Sequence, residues 1–200
     1  MIVIYQSNTG YTEQYAKMLA RRLDVPAYPL EKVPKCHLHK EAVFLGWLFA
    51  GNIVGYKKAA KNYCLRAVCG VGMSPPAAEL AGGLREKMRI PSAVPVFYLQ
   101  GGFDINKLHG PMKLIMKFKC KEIAGRLELR GELSEAEQAA YQMTQTGGSA
   151  VSEAALAEVL AYLRQRANPR DSRGFCLAPR RPERGTPPPA LMDAAWFYIM

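Results

Sequence analysis

Apolar residues along the first hundred positions form short β-branched runs that alternate with stretches of helical spacing. The runs predict five strands, at residues 2–5, 25–30, 42–47, 65–71 and 94–99. The stretches between them predict helices at residues 12–23, 57–62 and 77–88. Strands separated by helices in this way are typical of a parallel sheet. We therefore expect an α/β fold, with a doubly wound five-stranded parallel sheet as the middle of three layers, α/β/α.

The pattern changes after residue 104. A basic amphipathic stretch covers residues 112–121, a capping box begins a short helix at Ser134, and residues 152–166 have the spacing of a final helix. From Asn168 onward the chain has six of its fourteen prolines and no periodicity, which predicts disorder. We therefore expect one domain at 1–166, with a basic insert at about 105–150 after the fifth strand, and a disordered tail rich in proline and arginine at 167–200.

The composition is that of a globular protein, because 49% of the 200 residues are hydrophobic and 22% are charged. Neither a secretory signal peptide nor an apolar run of about 18 residues is visible, so we expect a cytoplasmic protein without a membrane span. Five cysteines without a CxxC pair indicate free thiols rather than a disulfide framework. Cys36, His37 and His39 resemble metal ligands, but no second pair stands at zinc-site spacing, so we expect no metal site.

The most informative motif lies between the first strand and the first helix and reads Ser7-Asn8-Thr9-Gly10-Tyr11-Thr12. A helix N-terminus presents unpaired N–H groups and the positive end of the helix dipole, and both favour a phosphate group. Three hydroxyls add donors, and Gly10 permits a close approach or a positive φ. The motif matches neither GxxxxGK[ST] nor GxGxxG. The alternative is a helix that is capped by Thr9 or Thr12 and binds no ligand.

The pattern Ser7-x-Thr9-Gly10-x-Thr12, directly after the first strand, resembles the FMN phosphate loop of flavodoxins. Two later segments extend the resemblance. GWLFAGNIVGYKK is similar to the flavin-flanking loop of a divergent flavodoxin-domain family, and VPVFYLQGGFDINKLHGPMKLIMK resembles the last strand of that family and the segment beyond it. Bacterial flavodoxin-type protoporphyrinogen oxidases share this layout. The resemblance spans residues 1 to about 166 and implies a flavodoxin-like fold.

The resemblance also implies which residues hold FMN. The phosphate would be bound by Ser7, Thr9, Gly10, Tyr11 and Thr12, with Asn8 contributing backbone. One side of the isoalloxazine would be lined by Trp47, Leu48, Phe49, Ala50, Gly51 and Asn52. The other side would be faced by Gly72, Met73 and Ser74 and by Gly101, Gly102, Phe103 and Asp104. Either Trp47 or Phe49 would stack on the flavin, unless both are ordinary core residues.

Three functional hypotheses follow. The first is an FMN-binding, flavodoxin-like redox protein that carries electrons through a non-covalently bound flavin. The second is a protoporphyrinogen-dehydrogenase-like oxidoreductase that passes electrons to a quinone at the membrane surface. The third is a flavodoxin-shaped binding module without flavin. No catalytic triad or paired-carboxylate site is visible, and we assign no catalytic residue, because in flavin electron transfer the cofactor performs the chemistry.

The formal net charge of +10 differs from the acidic character of ordinary flavodoxins and indicates an anionic partner. Between Lys107 and Lys121 the chain has five lysines and no acidic residue. We consider three interpretations of this stretch. It contacts an anionic membrane at the inner face, it docks an acidic protein or an anionic substrate, or it is a helix that packs on the sheet with its lysines in water. We expect a redox partner protein or a quinone as partner. We expect no nucleic acid, because aromatic residues are too sparse for a base-stacking surface.

Overall fold

The computed structural model describes residues 1–104 and 147–166, together with the single positions Lys113 and Gly125. The predictions for residues 107–121, for the helix that begins at Ser134 and for the tail at 167–200 fall outside these ranges. The elements in chain order are β1 (Ile2–Gln6), α1 (Tyr11–Leu23), β2 (Ala27–Pro29), β3 (Glu41–Phe49), β4 (Asn52–Ile53), α2 (Tyr56–Asn62), β5 (Cys64–Gly72), α3 (Ala78–Met88), β6 (Val96–Gln100), β7 (Gly102–Phe103), β8 (Gly148–Ser149) and α4 (Ala157–Arg166).

Five of the strands form one parallel sheet in the order β2-β1-β3-β5-β6. Ile4 of β1 lies beside Phe44 of β3, and Val68 of β5 lies between Phe44 and Val96 of β6. The strand order reverses between β1 and β3, as in flavodoxin-like sheets. The expected α/β fold, with a flavodoxin-like parallel sheet, is confirmed.

Different helices cover the two faces of the sheet. Alternate side chains of one strand point to opposite faces, so each strand contributes to both layers of the core. On one face, α1 and α4 pack against a cluster that includes Val3, Val43 and Cys69. On the other face, α2 and α3 pack against a cluster that includes Ile4 and Phe44. The sheet is therefore the middle of three layers, as expected.

The segment after β3 is a β-hairpin rather than the expected loop. β3 extends to Phe49 and turns through Ala50 and Gly51 into β4, which is antiparallel to it. Ile53 of β4 is 2% exposed and packs in the core beside α2 and α3. A Cβ at Gly46 would lie 2.6 Å from Cγ2 of Ile53, so this glycine lets the hairpin fold back onto its own strand. Sequence composition alone did not distinguish this close packing from a flexible loop.

The state of the cysteines differs in part from the expectation of free thiols. Cys36 and Cys69 are free thiols, but Cys64 is disulfide-bonded. The expectation of free thiols is therefore wrong for Cys64, because disulfide pairing depends on distances in the fold that cysteine spacing does not give. None of the helices in the described ranges combines the length and the apolar character that a membrane span requires.

Candidate functional site

The hydroxyl-rich loop connects the end of β1 to the start of α1. Gly10 is the residue before the helix and has a φ of +90°, in the left-handed region that favours glycine. Its N–H donates to Oγ of Ser7 at 3.1 Å, a bond that closes the loop and does not use the hydroxyl proton of Ser7. A Cβ at Gly10 would meet no atom of the described residues within 4 Å. The backbone conformation therefore favours glycine here, and the space beside it is open.

The first turn of α1 presents backbone donors next to this loop. The first hydrogen bond of the helix runs from the Gln14 N–H to the Gly10 oxygen at 3.0 Å. The N–H groups of Thr12 and Glu13 come before this bond and therefore have no acceptor within the helix. In the described part of the chain, neither Thr9 nor Thr12 caps α1 through its side chain. Gly10 is the N-cap, and α1 has no side-chain cap hydrogen bond there. Capping therefore does not account for the hydroxyls of the loop.

An ion pair compensates the acidic residue in the first turn of α1. Nζ of Lys17 lies 2.7 Å from the Glu13 carboxylate, and this hydrogen bond lowers the pKa of Glu13. Tyr5, at the end of β1, also donates to this carboxylate. Burial is the main reason why the pKa of Tyr5 is raised, so its hydroxyl stays protonated. The negative charge of Glu13 is thus held by two partners within the chain.

Ala50 and Gly51 form the turn of the β3–β4 hairpin, with φ of 48° and 68°. Two successive positive φ values are typical of the type I′ turn, whose twist suits a two-residue hairpin. An alanine in this region costs about 1–2 kcal/mol. The Ala50 oxygen accepts hydrogen bonds from Nζ of Lys87 at 2.7 Å and from Nδ2 of Asn52 at 3.1 Å. These two bonds hold the carbonyl of the strained residue in place.

Trp47 and Phe49 lie two residues apart on β3 and therefore on the same face of the strand. Their ring centroids are 5.6 Å apart and their planes are tilted by 49°. Both residues are partly buried, and neither belongs to the two buried clusters of the described core. Leu48 lies on the opposite face, where its Cδ1 would be 2.9 Å from a Cβ at Gly72. The two rings are accessible at the carboxyl end of β3, where an aromatic partner could stack.

Two side chains of β6 hold the segment that follows β5. The Tyr98 hydroxyl donates to the Ser74 oxygen at 2.7 Å, and Nε2 of Gln100 donates to the Met73 oxygen at 3.3 Å. Burial raises the pKa of Tyr98 far above its ordinary range, so the hydroxyl stays a neutral donor. A Cβ at Gly72 would lie 2.6 Å from this hydroxyl oxygen. The exits of β5 and β6 are thus packed against each other.

The two glycines after β6 are required by packing within the chain. A Cβ at Gly101 would lie 2.8 Å from Cγ1 of Val71, and one at Gly102 would lie 2.7 Å from Cε1 of Tyr11. Tyr11 is therefore buried beneath this backbone rather than placed with the hydroxyls of Ser7 and Thr9. Phe103 pairs through its backbone with Gly148, and Asp104 is partly buried just beyond.

Parallel pairing brings the four predicted segments to one edge of the sheet. Gln6 lies beside Gly46, Trp47 beside Val71, and Gly72 beside Gln100, so their loops leave the sheet side by side. Sequence reasoning missed the residues that hold these loops, which are Tyr98, Gln100 and Lys87. Tyr98 and Gln100 do carry a signal, because they are polar positions two apart at the end of an otherwise apolar strand.

Comparisons of the chain with protein-family models, with curated proteins and with solved structures found no match. Within residues 1–104 and 147–166, no group of three or more His, Cys, Asp or Glu side chains is arranged to hold a metal ion. The features that indicate a function are therefore the fold and the geometry of the loops at the carboxyl ends of the strands.

Proposed function

We propose that this chain is an FMN-binding, flavodoxin-like redox protein. The observation that carries the proposal is the loop before α1, where Gly10 has a φ of +90° beside open space and hydroxyl groups flank it. The loop follows β1, at the point where the strand order reverses. Phosphate-bearing ligands of open α/β sheets bind at this point, at a helix N-terminus.

The donors of the loop suit a phosphate group. Ser7 and Thr9 are partly buried hydroxyl donors, and the N–H groups of Thr12 and Glu13 point along the start of α1. All four groups are neutral, so binding would rely on oriented dipoles rather than on a lysine or arginine. Because Gly10 has no side chain, it would let the phosphate approach the backbone closely.

The neighbouring strand ends would orient the flavin ring. Trp47 and Phe49 offer accessible rings on one face of β3, and the Ala50–Gly51 turn offers backbone groups at its tip. Lys87 and Tyr98 hold the surrounding carbonyls and would keep these loops in position. When bound, FMN supplies reversible electron acceptance and donation. The protoporphyrinogen-dehydrogenase-like alternative depends on the stretch between Lys107 and Lys121, outside the described residues, and stays a prediction.

The absorption spectrum of freshly purified protein tests the proposal. We expect visible flavin absorption, and we expect heat to release a compound that chromatography identifies as FMN. Protein stripped of flavin should bind FMN much more tightly than riboflavin, because riboflavin lacks the phosphate. A colourless protein that cannot be reconstituted with FMN would contradict the proposal and favour a flavin-free binding module.

A further inference from the structure

Half of the formal net positive charge is concentrated in one segment of the chain, residues 31–66. Residues 31–66 contain seven Lys and Arg and only two Glu, a surplus of five within a net charge of +10. Both glutamates are already paired, Glu31 with Lys58 and Glu41 with Arg66. Five exposed lysines of this segment take no part in the ion pairs of the described residues: Lys32, Lys35, Lys40, Lys57 and Lys61.

The fold brings these five lysines, which we call the cationic surface, onto one side of the molecule. The connection from β2 to β3 runs alongside α2 and is fixed near both ends of that helix. Near the start of α2, Lys58 pairs with Glu31, and at its end the His39 N–H donates to the Asn62 oxygen at 2.8 Å. Lys57 and Lys61 are one helical turn apart and therefore lie on the same exposed face of α2.

An exposed leucine projects from the same connection. Leu38 is 41% exposed. Among the large apolar residues of the described ranges, only Met1 is also exposed to solvent. Two turn hydrogen bonds fix the backbone around this leucine. The Leu38 N–H donates to the Lys35 oxygen at 3.1 Å, and the Lys40 N–H donates to the His37 oxygen at 3.2 Å. The His37 ring packs against Tyr28, with centroids 5.4 Å apart. Leu38 is thus held outward by an ordered segment.

We propose that the cationic surface binds an anionic lipid bilayer, with Leu38 entering the headgroup region. Lysines near an anionic leaflet are attracted to it, and an apolar side chain among them gains burial at the boundary with the acyl chains. A protein interface has a broader apolar core than one leucine, and a soluble polyanion has no place to bury it. The combination therefore favours a lipid surface. The proposal depends neither on FMN nor on the stretch between Lys107 and Lys121.

Co-sedimentation of the full chain with vesicles tests this proposal. We expect binding to vesicles of phosphatidylcholine with phosphatidylglycerol but not to phosphatidylcholine alone, and we expect added salt to weaken it. The double variant Lys35→Glu/Lys61→Glu should bind at least tenfold more weakly. The matched control Arg21→Glu/Arg164→Glu makes the same charge change at exposed positions of α1 and α4 and should bind close to wild type.

Leu38→Ser separates a bilayer from a soluble polyanion because it leaves the charge unchanged. It should weaken binding to the anionic vesicles severalfold and leave binding to heparin unchanged. Equal vesicle binding by the two double variants would overturn the proposal, and so would vesicle binding that Leu38→Ser does not change. Circular dichroism of the same samples shows whether each variant is folded, so the outcome does not depend on whether the protein binds FMN.

Discussion

The Tyr15 hydroxyl donates a hydrogen bond of 2.6 Å to the Gln100 oxygen and thereby joins α1 to the end of β6 across 85 residues of sequence. Tyr15 is fully buried, and burial raises the pKa of its hydroxyl, so the group remains a protonated donor. The helix that begins at the hydroxyl-rich loop is thus fixed to the strand whose exit carries Gly101 and Gly102.

Replacing Tyr15 by phenylalanine tests this link. Because the substitution leaves a carbonyl without its donor, we expect Tyr15→Phe to lower the free energy of unfolding by about 1–2 kcal/mol. Tyr28→Phe is the control, since no hydrogen bond of its hydroxyl to another described residue is seen, and it should change stability by less than about 0.5 kcal/mol. Urea unfolding measures both, and equal effects would contradict a role for the Tyr15–Gln100 bond.

Gly10→Ala should destabilise the fold although its methyl group has room. The φ of +90° makes any L-residue strained there, so we expect a loss of about 1 kcal/mol in the free energy of unfolding. Gly82→Ala is the matched control, because Gly82 lies in α3 and its Cβ would also meet no described atom within 4 Å. It should stabilise the protein by about 0.5–1 kcal/mol. The same sign for both variants would contradict the assigned backbone conformation.

If FMN binds as proposed, the hydroxyls of the hydroxyl-rich loop should contribute to its binding through the phosphate. The triple variant Ser7→Ala/Thr9→Ala/Thr12→Ala should bind FMN at least tenfold more weakly, since each lost hydrogen bond to a charged group contributes about 1.5–3 kcal/mol. Its affinity for riboflavin should stay close to that of wild type. Fluorescence titration measures both affinities. If the purified variant remains yellow with undiminished FMN affinity, the phosphate assignment is wrong.

Ala50→Gly should stabilise the hairpin. Relief of a left-handed alanine contributes about 1–2 kcal/mol, and the added freedom of glycine in the unfolded chain subtracts about 0.4–1 kcal/mol, so a net gain of about 0.5–1 kcal/mol is expected. Ala60→Gly, within α2, carries the same chemical change in a helix and should cost about 1 kcal/mol. Thermal and urea unfolding compare the two variants. A loss of stability in both would mean that the turn does not strain Ala50.

Burial of Cys69 predicts a pH dependence of stability at alkaline pH. Burial raises the pKa of the Cys69 thiol from 9.0 to about 12. Between these values the unfolded chain releases a proton that the folded chain keeps, so the free energy of unfolding falls as pH rises, by roughly 1.4 kcal/mol per pH unit. Below pH 9 this contribution is fully present. Cys69→Ala should be less stable near neutral pH but should lose stability less steeply above pH 9, which urea unfolding across this range measures.

Strands and packed helices were predictable because their periodicity is local. Ile2 and Ile4 show the run of a buried strand, and Tyr15 and Leu19 show the spacing of a helix face. The hairpin was not predictable, because Ile53 is buried only once Gly46 lets the chain fold back onto β3. The residues that hold the site were missed for a related reason. Tyr98, Gln100 and Lys87 bind backbone carbonyls 24 to 37 residues away, and no pattern in the sequence marks such an acceptor.

The short β7–β8 ladder holds two distant positions of the chain side by side. Gly102 pairs with Ser149, and the Ala150 N–H donates to the Gly101 oxygen at 2.8 Å, so the chain between them starts and ends at neighbouring positions. Closing a loop costs only about 0.6 kcal/mol more for each doubling of its length. The length of the chain between the two strands can therefore change with little cost to the sheet. A change of that length would leave the loops at the ends of β1 and β3 unchanged.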